Sequence, residues 1–334
     1  MATIYEVSKL AGVSLATVSR VINDSGKVTP ATRAKVQAAM QQLGYRPNAI
    51  AQSLASARSN SVGVLVPELH GAFFGIMLSS IEDELRAAGK HVIISAGHSD
   101  KSSEQESIEF LASRQCDALI LHTFAVSNEY LLDLARGPLA IFLIGRDIPE
   151  VAERCFYLDN EQGSYLAAKA MIELGHRELA YLAGPLWKSD AHSRYAGFQR
   201  ALSEAGLRFD EQLLVEGNYQ EASGREGMAR LLNSGSAFSG LVCANDEMAV
   251  GAIDEARQRG MVIPGDLSVV GFDNVFFTRY MHPALSTINY PIDVMGRMAA
   301  RSVLRDVYGQ EQAQVQNRFE PRLVMRASTA AFRA

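Results

Sequence analysis

The sequence predicts a chain of two unlike parts: a small helical domain at the N-terminus, followed by a larger α/β domain made of two lobes. Two observations favour this division. The first sixty residues hold seven basic and two acidic side chains, although the whole chain of 334 residues has a net charge of −5. Beyond residue 60, short apolar runs alternate with amphipathic helical segments, which is typical of parallel sheets covered on both faces by helices.

Three helices are predicted in the N-terminal part. Thr3 can cap the first, with Glu6 completing a capping box, and Gly12 can end it. Ser14 can cap the second helix, and Thr29 can cap the third. In chain order, the predicted spans are Ile4–Ala11, about Leu15–Asn23, and Pro30 to about Leu43.

The second predicted helix has an apolar inner face and a polar outer side. Its inner face consists of Val18, Val21 and Ile22. Two helices joined by a short turn with glycine, the second presenting polar residues, form the helix-turn-helix pattern. Because this segment is also basic, we expect it to bind double-stranded DNA. The expected DNA-binding residues are Thr3, Leu15, Ala16, Thr17, Ser19, Arg20 and Asn23.

A short apolar helix is predicted in the run YRPNAIAQSLAS, and it is too short to be stable alone in water. This run, together with TIYEVSKLAGVSLATVSRVIN before it, closely resembles the LacI/GalR family of transcriptional regulators. The resemblance implies a hinge helix that folds on operator DNA and pairs with that of a dimer mate. It also implies that Leu54 enters the minor groove and that Ala51 lies at the groove floor. An apolar wedge of this kind unstacks a base step and bends the duplex.

The larger part is predicted to contain eight strands and seven helices. So many strand–helix units fit two sheets better than one, and we expect the lobe break near residue 160 with a return crossing near 290. The predicted strands are 61–67, 91–97, 117–123, 139–145, 178–184, 240–246, 267–273 and 285–290. The predicted helices lie near 73–89, 103–114, 161–175, 194–206, 222–234, 246–260 and 294–308.

The resemblance covers essentially the whole chain and is closest to galactose-repressor-type members, through runs such as SRQCDALILH, CANDEMAVGAI and SVVGFDNVFF. It implies a helix-turn-helix domain over 1–45, a hinge helix and linker over 46–60, and an effector-binding and dimerisation domain over 61–334. The last domain is expected to resemble periplasmic sugar-binding proteins. Ligands of parallel α/β sheets bind beyond the carboxyl ends of the strands, so the two lobes should share a cleft.

A sugar pocket needs aromatic faces for stacking and fixed polar groups for the hydroxyls. The residues expected to bind the effector, most of them matched to family positions, are Phe73, Phe74, Arg146, Asp190, Arg194, Tyr219, Asn245 and Asp273, with Ser193 as a weaker candidate. One of the two phenylalanines is expected in the core, and Asp246 and Asp266 are expected to cap helices or turns. Galactose-type members usually have Asn-Arg where this chain has Gly145-Arg146, so the identity of the sugar stays open.

Other functions are weighed against this one. The chain holds no phosphate-binding glycine loop, no metal-ligand spacing and no activated nucleophile, so we expect no enzymatic activity, no metal and no cofactor. A secreted solute-binding protein is disfavoured by the missing signal peptide, and we expect a cytoplasmic homodimer without a membrane partner. Cys116, Cys155 and Cys243 are expected to be reduced core thiols. A purine- or nucleoside-responsive regulator, or control by a corepressor, remains the alternative.

Overall fold

The structure, a computed structural model, describes residues 2–23, 26–46, 58–311 and 314–333. The chain divides into two compact units. One consists of Met1–Ser61 with Gln115–Asp117, and the other of Val62–Arg114 with Ala118–Ala334. The short segment around residue 117 joins the first unit because the Asp117 carboxylate accepts hydrogen bonds from the backbone N–H groups of Ser59 and Asn60, both at 2.8 Å.

The N-terminal unit contains three helices with the predicted caps. They are α1 (Ile4–Ala11), α2 (Leu15–Ile22) and α3 (Pro30–Leu43). Thr3 and Glu6 form the expected capping box, Gly12 ends α1 with a φ of 65°, and Ser14 accepts a hydrogen bond from the N–H of Thr17. The small core consists of Val7, Val18, Val21, Val36 and Ala39. Local capping signals and one apolar stripe per helix therefore account for this unit.

Two six-stranded sheets form the second unit. The first sheet has the order β11-β5-β4-β3-β1-β2 and the second has the order β12-β10-β9-β8-β6-β7. Neighbours pair in parallel from β11 to β1 and from β10 to β7, whereas β12 runs antiparallel to β10. The strands are β1 (Ser61–Val66), β2 (His91–Ala96), β3 (Ala118–Leu121), β4 (Ala140–Ile144), β5 (Cys155–Leu158), β6 (Leu179–Ala183), β7 (Leu214–Glu216), β8 (Gly240–Cys243), β9 (Ser268–Asp273), β10 (Ser286–Asn289), β11 (Arg318–Phe319) and β12 (Arg322–Val324).

Helices cover the faces of both sheets. We call the first sheet with its helices the first lobe, and the second sheet with its helices the second lobe. The helices are α4 (Ala72–Ala87), α5 (Lys101–Ser113), α6 (Asn128–Arg136), α7 (Asn160–Glu173), α8 (Ser189–Glu204), α9 (Glu221–Asn233), α10 (Asp246–Gln258) and α11 (Ile292–Asp306). Although α11 follows β10 in the chain, it packs on α4 in the first lobe. The chain therefore changes lobe after β5, after β10 and again between β11 and β12.

The predicted two-sheet α/β architecture is confirmed, and each predicted strand and helix lies within a few residues of an observed one. Five elements are absent from the prediction: β5, β7, β11, β12 and α6. The four strands have four residues or fewer, so they carry almost no periodic signal and exist through their pairing with longer strands. The helix α6 does have a local capping signal in the sequence: Ser127 accepts a hydrogen bond from the N–H of Tyr130.

Two further expectations concern the three cysteines and the absence of a membrane-spanning helix. The cysteines Cys116, Cys155 and Cys243 are free and buried, as expected for core thiols. Burial raises the pKa of the Cys116 and Cys155 thiols to about 11, so both are protonated near neutral pH. Among the described residues, no helix combines the length and apolar character needed to cross a membrane.

Candidate functional site

The first candidate surface is the outer side of α2. Its inward positions Val18 and Val21 are buried, whereas Leu15, Ala16 and Arg20 are exposed. The exposed residues share one side of a short helix whose other side is fixed in a core, which is the arrangement of a recognition helix that enters a major groove.

The remaining predicted DNA contacts are polar groups near the helix ends. Thr17 shares a hydrogen bond of 2.9 Å with the Ser14 hydroxyl, and Asn23 donates to the Ser19 hydroxyl at 3.3 Å. Thr3 serves as the cap of α1. The hinge residues Ala51 and Leu54 lie outside the described residues.

The second candidate surface is a cleft between the two lobes, at the carboxyl ends of the parallel strands. Its cavity has a volume of about 850 Å³, including space open to solvent. It is lined by Pro67, Glu68, His70, Gly71, Phe73, Phe74, His122, Phe124, Gly145, Asn160, Lys188, Asp190, Arg194, Asn218, Tyr219, Gln220, Asn245, Glu247, Asp273 and Tyr290.

Arg194 and Asp273 form a buried charged pair in this cleft, with 4% and 8% of their side chains exposed. The guanidinium Nη1 and the carboxylate Oδ1 are 3.8 Å apart, which is an ion pair without a direct hydrogen bond. The guanidinium is held by other groups: its Nε donates to Asn160 Oδ1 at 2.8 Å, and its Nη1 donates to the Ala244 carbonyl. Its carbon lies 3.8 Å from the centre of the Phe272 ring.

The Asp273 carboxylate has no hydrogen bond from the described residues, although it is almost completely buried. Burial raises the pKa of this carboxyl well above its ordinary value, and the charge of Arg194 opposes that shift. The backbone is strained here, because Asp273 has a φ of 111°. A buried acceptor without a hydrogen bond, held in a strained conformation next to a cavity, is suited to accepting hydrogen bonds from ligand hydroxyls.

An aromatic wall from the second lobe stands beside this pair. Tyr219 donates from its hydroxyl to Asp190 Oδ2 at 3.0 Å, and Asn245 donates from its amide to the Tyr219 carbonyl at 2.8 Å. The amide oxygen of Asn245 also caps α10 by accepting a hydrogen bond from the N–H of Met248. Gly184 is required beneath the ring, since a Cβ at this position would lie 2.3 Å from Tyr219.

The first lobe contributes a second set of rings. Phe73 and Phe74 meet edge to face with centroids 5.4 Å apart, and Phe73 packs against Tyr290 at 5.0 Å. Both phenylalanines are partly buried, and both pack against the core as well as lining the cleft. His122 lies 5.5 Å from Phe74, and burial lowers the pKa of its imidazole to about 4. Its Nδ1 is buried without a hydrogen-bond partner among the described residues.

Arg146 is not among the residues that line this cleft. Its guanidinium donates to the carbonyls of Thr123 and Val126 and to Asn128 Oδ1. It lines a neighbouring pocket of about 970 Å³, where Ser193 also lies and which Asp190 borders as well. The structure therefore gathers seven of the eight predicted effector residues around one cavity and places Arg146 beside it.

Comparison with known proteins identifies both parts of the chain. Residues 3–48 match the family of bacterial regulatory proteins, lacI family, and residues 168–329 match a periplasmic binding protein-like domain. The chain is 37% identical over 330 residues to the HTH-type transcriptional regulator GalR of Escherichia coli (strain K12), covering 99% of this chain and 96% of that relative. The chain belongs to the LacI family of transcriptional regulators.

Solved structures of LacI-family proteins share the fold. The lac repressor dimer bound to operator and the anti-inducer ONPF has a TM-score of 0.85 at 28% identity, with 99% of each chain covered. The complex of the transcriptional regulator CelR with cellobiose has a TM-score of 0.70 at 29% identity, covering 98% of this chain and 100% of the other. The family consists of DNA-binding regulators, which confirms the expectation that this protein is not an enzyme.

Thirteen of the residues that line the cleft were not predicted as effector-binding residues. Several of them follow a strand, as His122, Asn160 and Tyr290 do, so the strand-end rule applied to every strand would have found them. Lys188 and Glu247 could be found only from the tertiary structure, because their hydrogen-bond partners lie in the opposite lobe. The thirteen residues are Pro67, Glu68, His70, Gly71, His122, Phe124, Gly145, Asn160, Lys188, Asn218, Gln220, Glu247 and Tyr290.

Two aspartates expected as caps have different outcomes. Asp266 accepts a hydrogen bond from the N–H of Val262 at 2.7 Å and stabilises a turn, as predicted. Asp246 does not cap α10, since Asn245 does so. Its buried carboxylate instead accepts from the Thr287 hydroxyl at 2.6 Å and the Val275 N–H at 3.0 Å, which ties α10 to the end of the sheet.

Proposed function

We propose that this LacI-family protein represses transcription at a pseudo-palindromic operator and is released when a small sugar, a hexose or hexoside, binds in the cleft. The observation that carries this proposal is the buried Asp273 carboxyl, which has no hydrogen bond from the described residues, forms an ion pair with Arg194 at 3.8 Å, and lines the same cavity as aromatic rings of both lobes. Alternating acceptors, donors and ring faces match the hydroxyls and apolar faces of a pyranose. The CelR relative in complex with cellobiose supports the same ligand class.

The DNA-binding half of the proposal rests on α2. Leu15, Ala16 and Arg20 would contact base edges, whereas Thr17 and Ser19 would lie nearer the phosphates. The basic balance of the first sixty residues favours a polyanionic partner. We assign residues 1–45 to the DNA-binding domain, 46–60 to the hinge and linker, and 61–334 to effector binding. Since operator DNA is the partner, we place its action in the cytoplasm.

We infer that the functional form is a homodimer. Large apolar side chains are exposed on the second unit, including Phe276 (59% exposed), Tyr280 (73%) and Ile94 (44%) on the edge strand β2. Exposed apolar residues of this size on an edge strand and on a helical turn favour a protein partner. The lac repressor relative is a dimer on its operator, which supports a second copy of this chain as that partner.

The effector would act through the arrangement of the lobes. A ligand that contacts both lobes favours one relative rotation, and in a dimer this rotation changes the spacing of the two hinge segments on DNA. The coupling free energy between the two ligands is expected to be about 1–3 kcal/mol. A ligand with equal affinity for the two arrangements would leave operator binding unchanged.

A thermal-shift screen of the full-length protein tests the proposal. The panel holds galactose, glucose, their disaccharides and ribonucleosides, and the sugar that stabilises the protein is then added to the operator complex in a gel-shift assay. Stabilisation scales as RT ln(1 + [L]/Kd), so a binder is distinguished from the rest. Release of the operator by that sugar supports the proposal. Stabilisation by a nucleoside alone would contradict a sugar effector but not the role of the protein as a transcriptional regulator. Tighter operator binding in the presence of the sugar would indicate a corepressor.

A further inference from the structure

Lys188 bridges the two lobes at the edge of the cleft. It lies between β6 and α8 in the second lobe, and its Nζ donates to the Ser99 hydroxyl of the first lobe at 2.8 Å. Ser99 is held in an unusual backbone conformation, since both His98 and Ser99 have a positive φ, of 53° and 52°. A strained turn of this kind persists when the surrounding structure requires it, so the position of the Ser99 hydroxyl is well defined.

Three aromatic rings surround the ammonium group of Lys188. Its Nζ lies 4.6 Å from the centre of the Phe124 ring, 5.5 Å from that of Trp187 and 5.7 Å from that of Tyr219. Ring faces attract a cation and stabilise its charged form. Burial lowers the pKa of Lys188, whereas the more distant charges of acidic groups raise it. The ammonium is therefore partly removed from water and held in a fixed place by rings of both lobes.

Three acidic groups near Lys188, those of Asp190, Glu68 and Glu104, favour its charged form, but none of them forms an ion pair with it. Glu104 is buried, with 1% of its side chain exposed, and its carboxylate accepts hydrogen bonds from the backbone N–H groups of residues 124, 125 and 126 at 2.8–2.9 Å. Asp190 accepts a hydrogen bond from the Tyr219 hydroxyl. Within the described part of the chain, Lys188 forms no ion pair, and only one of its three N–H donors has a protein acceptor.

We propose that Lys188 binds an anionic group of the effector, so that the effector is an acidic hexose derivative with a carboxylate or a phosphate. This inference rests on the proposed function, because it names the class of sugar that the cleft would select. Lys188 lines the same cavity as Arg194 and Asp273, so one ligand can reach all three. The ring hydroxyls would pair with Arg194 and Asp273, and the anionic group would pair with Lys188.

A neutral sugar fits this arrangement less well. When a ligand fills the cleft, it displaces water from the remaining N–H donors of Lys188, and a partly desolvated cation without a hydrogen-bonded counter-charge is costly. A carboxylate or phosphate restores the lost hydrogen bonds with charge-assisted ones. Arg146 does not offer a comparable site, since its guanidinium already donates to three protein oxygens.

The test is calorimetry of the full-length protein with galactose, glucose, the corresponding hexuronates and the corresponding hexose 6-phosphates. We expect one acidic sugar to bind roughly 10–100-fold more tightly than its neutral parent, as for hydrogen bonds to charged groups. Lys188→Met keeps the apolar stem and removes the charge, so it should bring the acidic sugar to the affinity of the neutral parent. Tighter binding of a hexuronate would indicate a carboxylate in the effector, and tighter binding of a hexose 6-phosphate would indicate a phosphate.

Lys169→Met is the matched control, because Lys169 also lies over a tyrosine ring, that of Tyr165 at 5.7 Å, but is exposed on α7 outside the cleft. It should leave every affinity unchanged, and operator binding by Lys188→Met shows that the variant is folded. Neutral sugars that bind as tightly as the acidic ones would overturn the inference and leave the proposed function intact. An equal loss of affinity for neutral and acidic sugars in Lys188→Met would also overturn it. Binding of neither class would overturn the sugar effector as well.

Discussion

Asp273→Gly is expected to separate effector binding from backbone strain at the centre of the cleft. The carboxyl of Asp273 has no hydrogen bond from the described residues, and its residue has a φ of 111°, a conformation that glycine adopts without strain. The substitution therefore removes the group that is expected to contact the ligand without removing an intramolecular hydrogen bond, although it also removes the counter-charge of the buried Arg194 guanidinium. Alanine at this position would keep the strained backbone, so its effect on folding stability would be harder to separate from its effect on ligand binding.

The expected magnitudes follow from the same features. Loss of hydrogen bonds between ligand hydroxyls and a charged group costs about 1.5–3 kcal/mol, or roughly 10–150-fold in Kd. The backbone entropy of glycine lowers the free energy of unfolding by about 0.5–1 kcal/mol, whereas relief of the strained conformation raises it by about 1–3 kcal/mol. Because burial raises the pKa of Asp273, ionisation of this carboxyl destabilises the native state as pH rises through the raised pKa. The stability of the variant relative to the wild type should therefore increase with pH.

The assay combines calorimetry with the effector, thermal unfolding at several pH values and operator binding in a gel shift. Asp266→Gly is a control at an exposed turn, where the carboxylate accepts from the Val262 N–H at 2.7 Å, and it should lose stability without losing effector affinity. We expect Asp273→Gly to bind operator normally and to resist release by the effector. An unchanged Kd for the effector would refute the assignment of Asp273, and a stability difference from the wild type that does not change with pH would refute the account of its raised pKa.

Four further predictions concern other parts of the molecule. Arg20→Ala should weaken operator binding by about 1–3 kcal/mol and relax the preference for operator over scrambled duplex, and equal loss on both duplexes would contradict base contact. Leu54→Ala should reduce DNA bending in circular-permutation gel shifts, and an unchanged bend angle would mean that Leu54 is ordinary packing. Glu104→Gln should lower the free energy of unfolding by about 3 kcal/mol, because an amide N–H₂ would face three backbone donors. Burial lowers the pKa of His122 from 6.5 to about 4, so stability should fall by about 3 kcal/mol as pH drops across that interval, and His122→Gln should abolish this part of the pH dependence.

The N-terminal helices were predictable because their determinants are local. The Thr3–Glu6 capping box and Gly12 lie within the residues of one short helix and its flanks, and the structure has the same bounds for α1 as the prediction. The strands β11 and β12 were not predictable, since two or three residues such as Arg318–Phe319 form a strand only where a longer neighbour offers its edge. Helix caps can be recognised within a short window of sequence, whereas the pairing of a short edge strand depends on the assembled sheet.

The same distinction applies to the cleft. Asp273 ends β9 and Asn245 lies two residues after β8, and these positions alone indicated that both residues face a ligand site. Lys188 carries no such signal, because its significance depends on the Ser99 hydroxyl and the Phe124 ring of the other lobe. Arg146 had the expected strand-end position, but the carbonyls of a neighbouring loop turn its guanidinium away from the cavity. Strand position therefore predicts which residues border the cleft, and side-chain partners decide which of them remain available to a ligand.

Several residues that form contacts between the two lobes are also residues that a ligand in the cleft would touch. Glu247 of the second lobe accepts a hydrogen bond from the Ala72 N–H at the start of α4 in the first lobe, at 3.3 Å. Lys188 reaches Ser99, and Phe73 packs on Tyr290 across the same gap. A ligand can change the balance between lobe arrangements only by the difference in its free energy of interaction with them. Because Glu247, Lys188, Phe73 and Tyr290 also line the cavity, a bound effector must either add to these bridges or replace them, and the sign of that difference decides between release and retention of the operator.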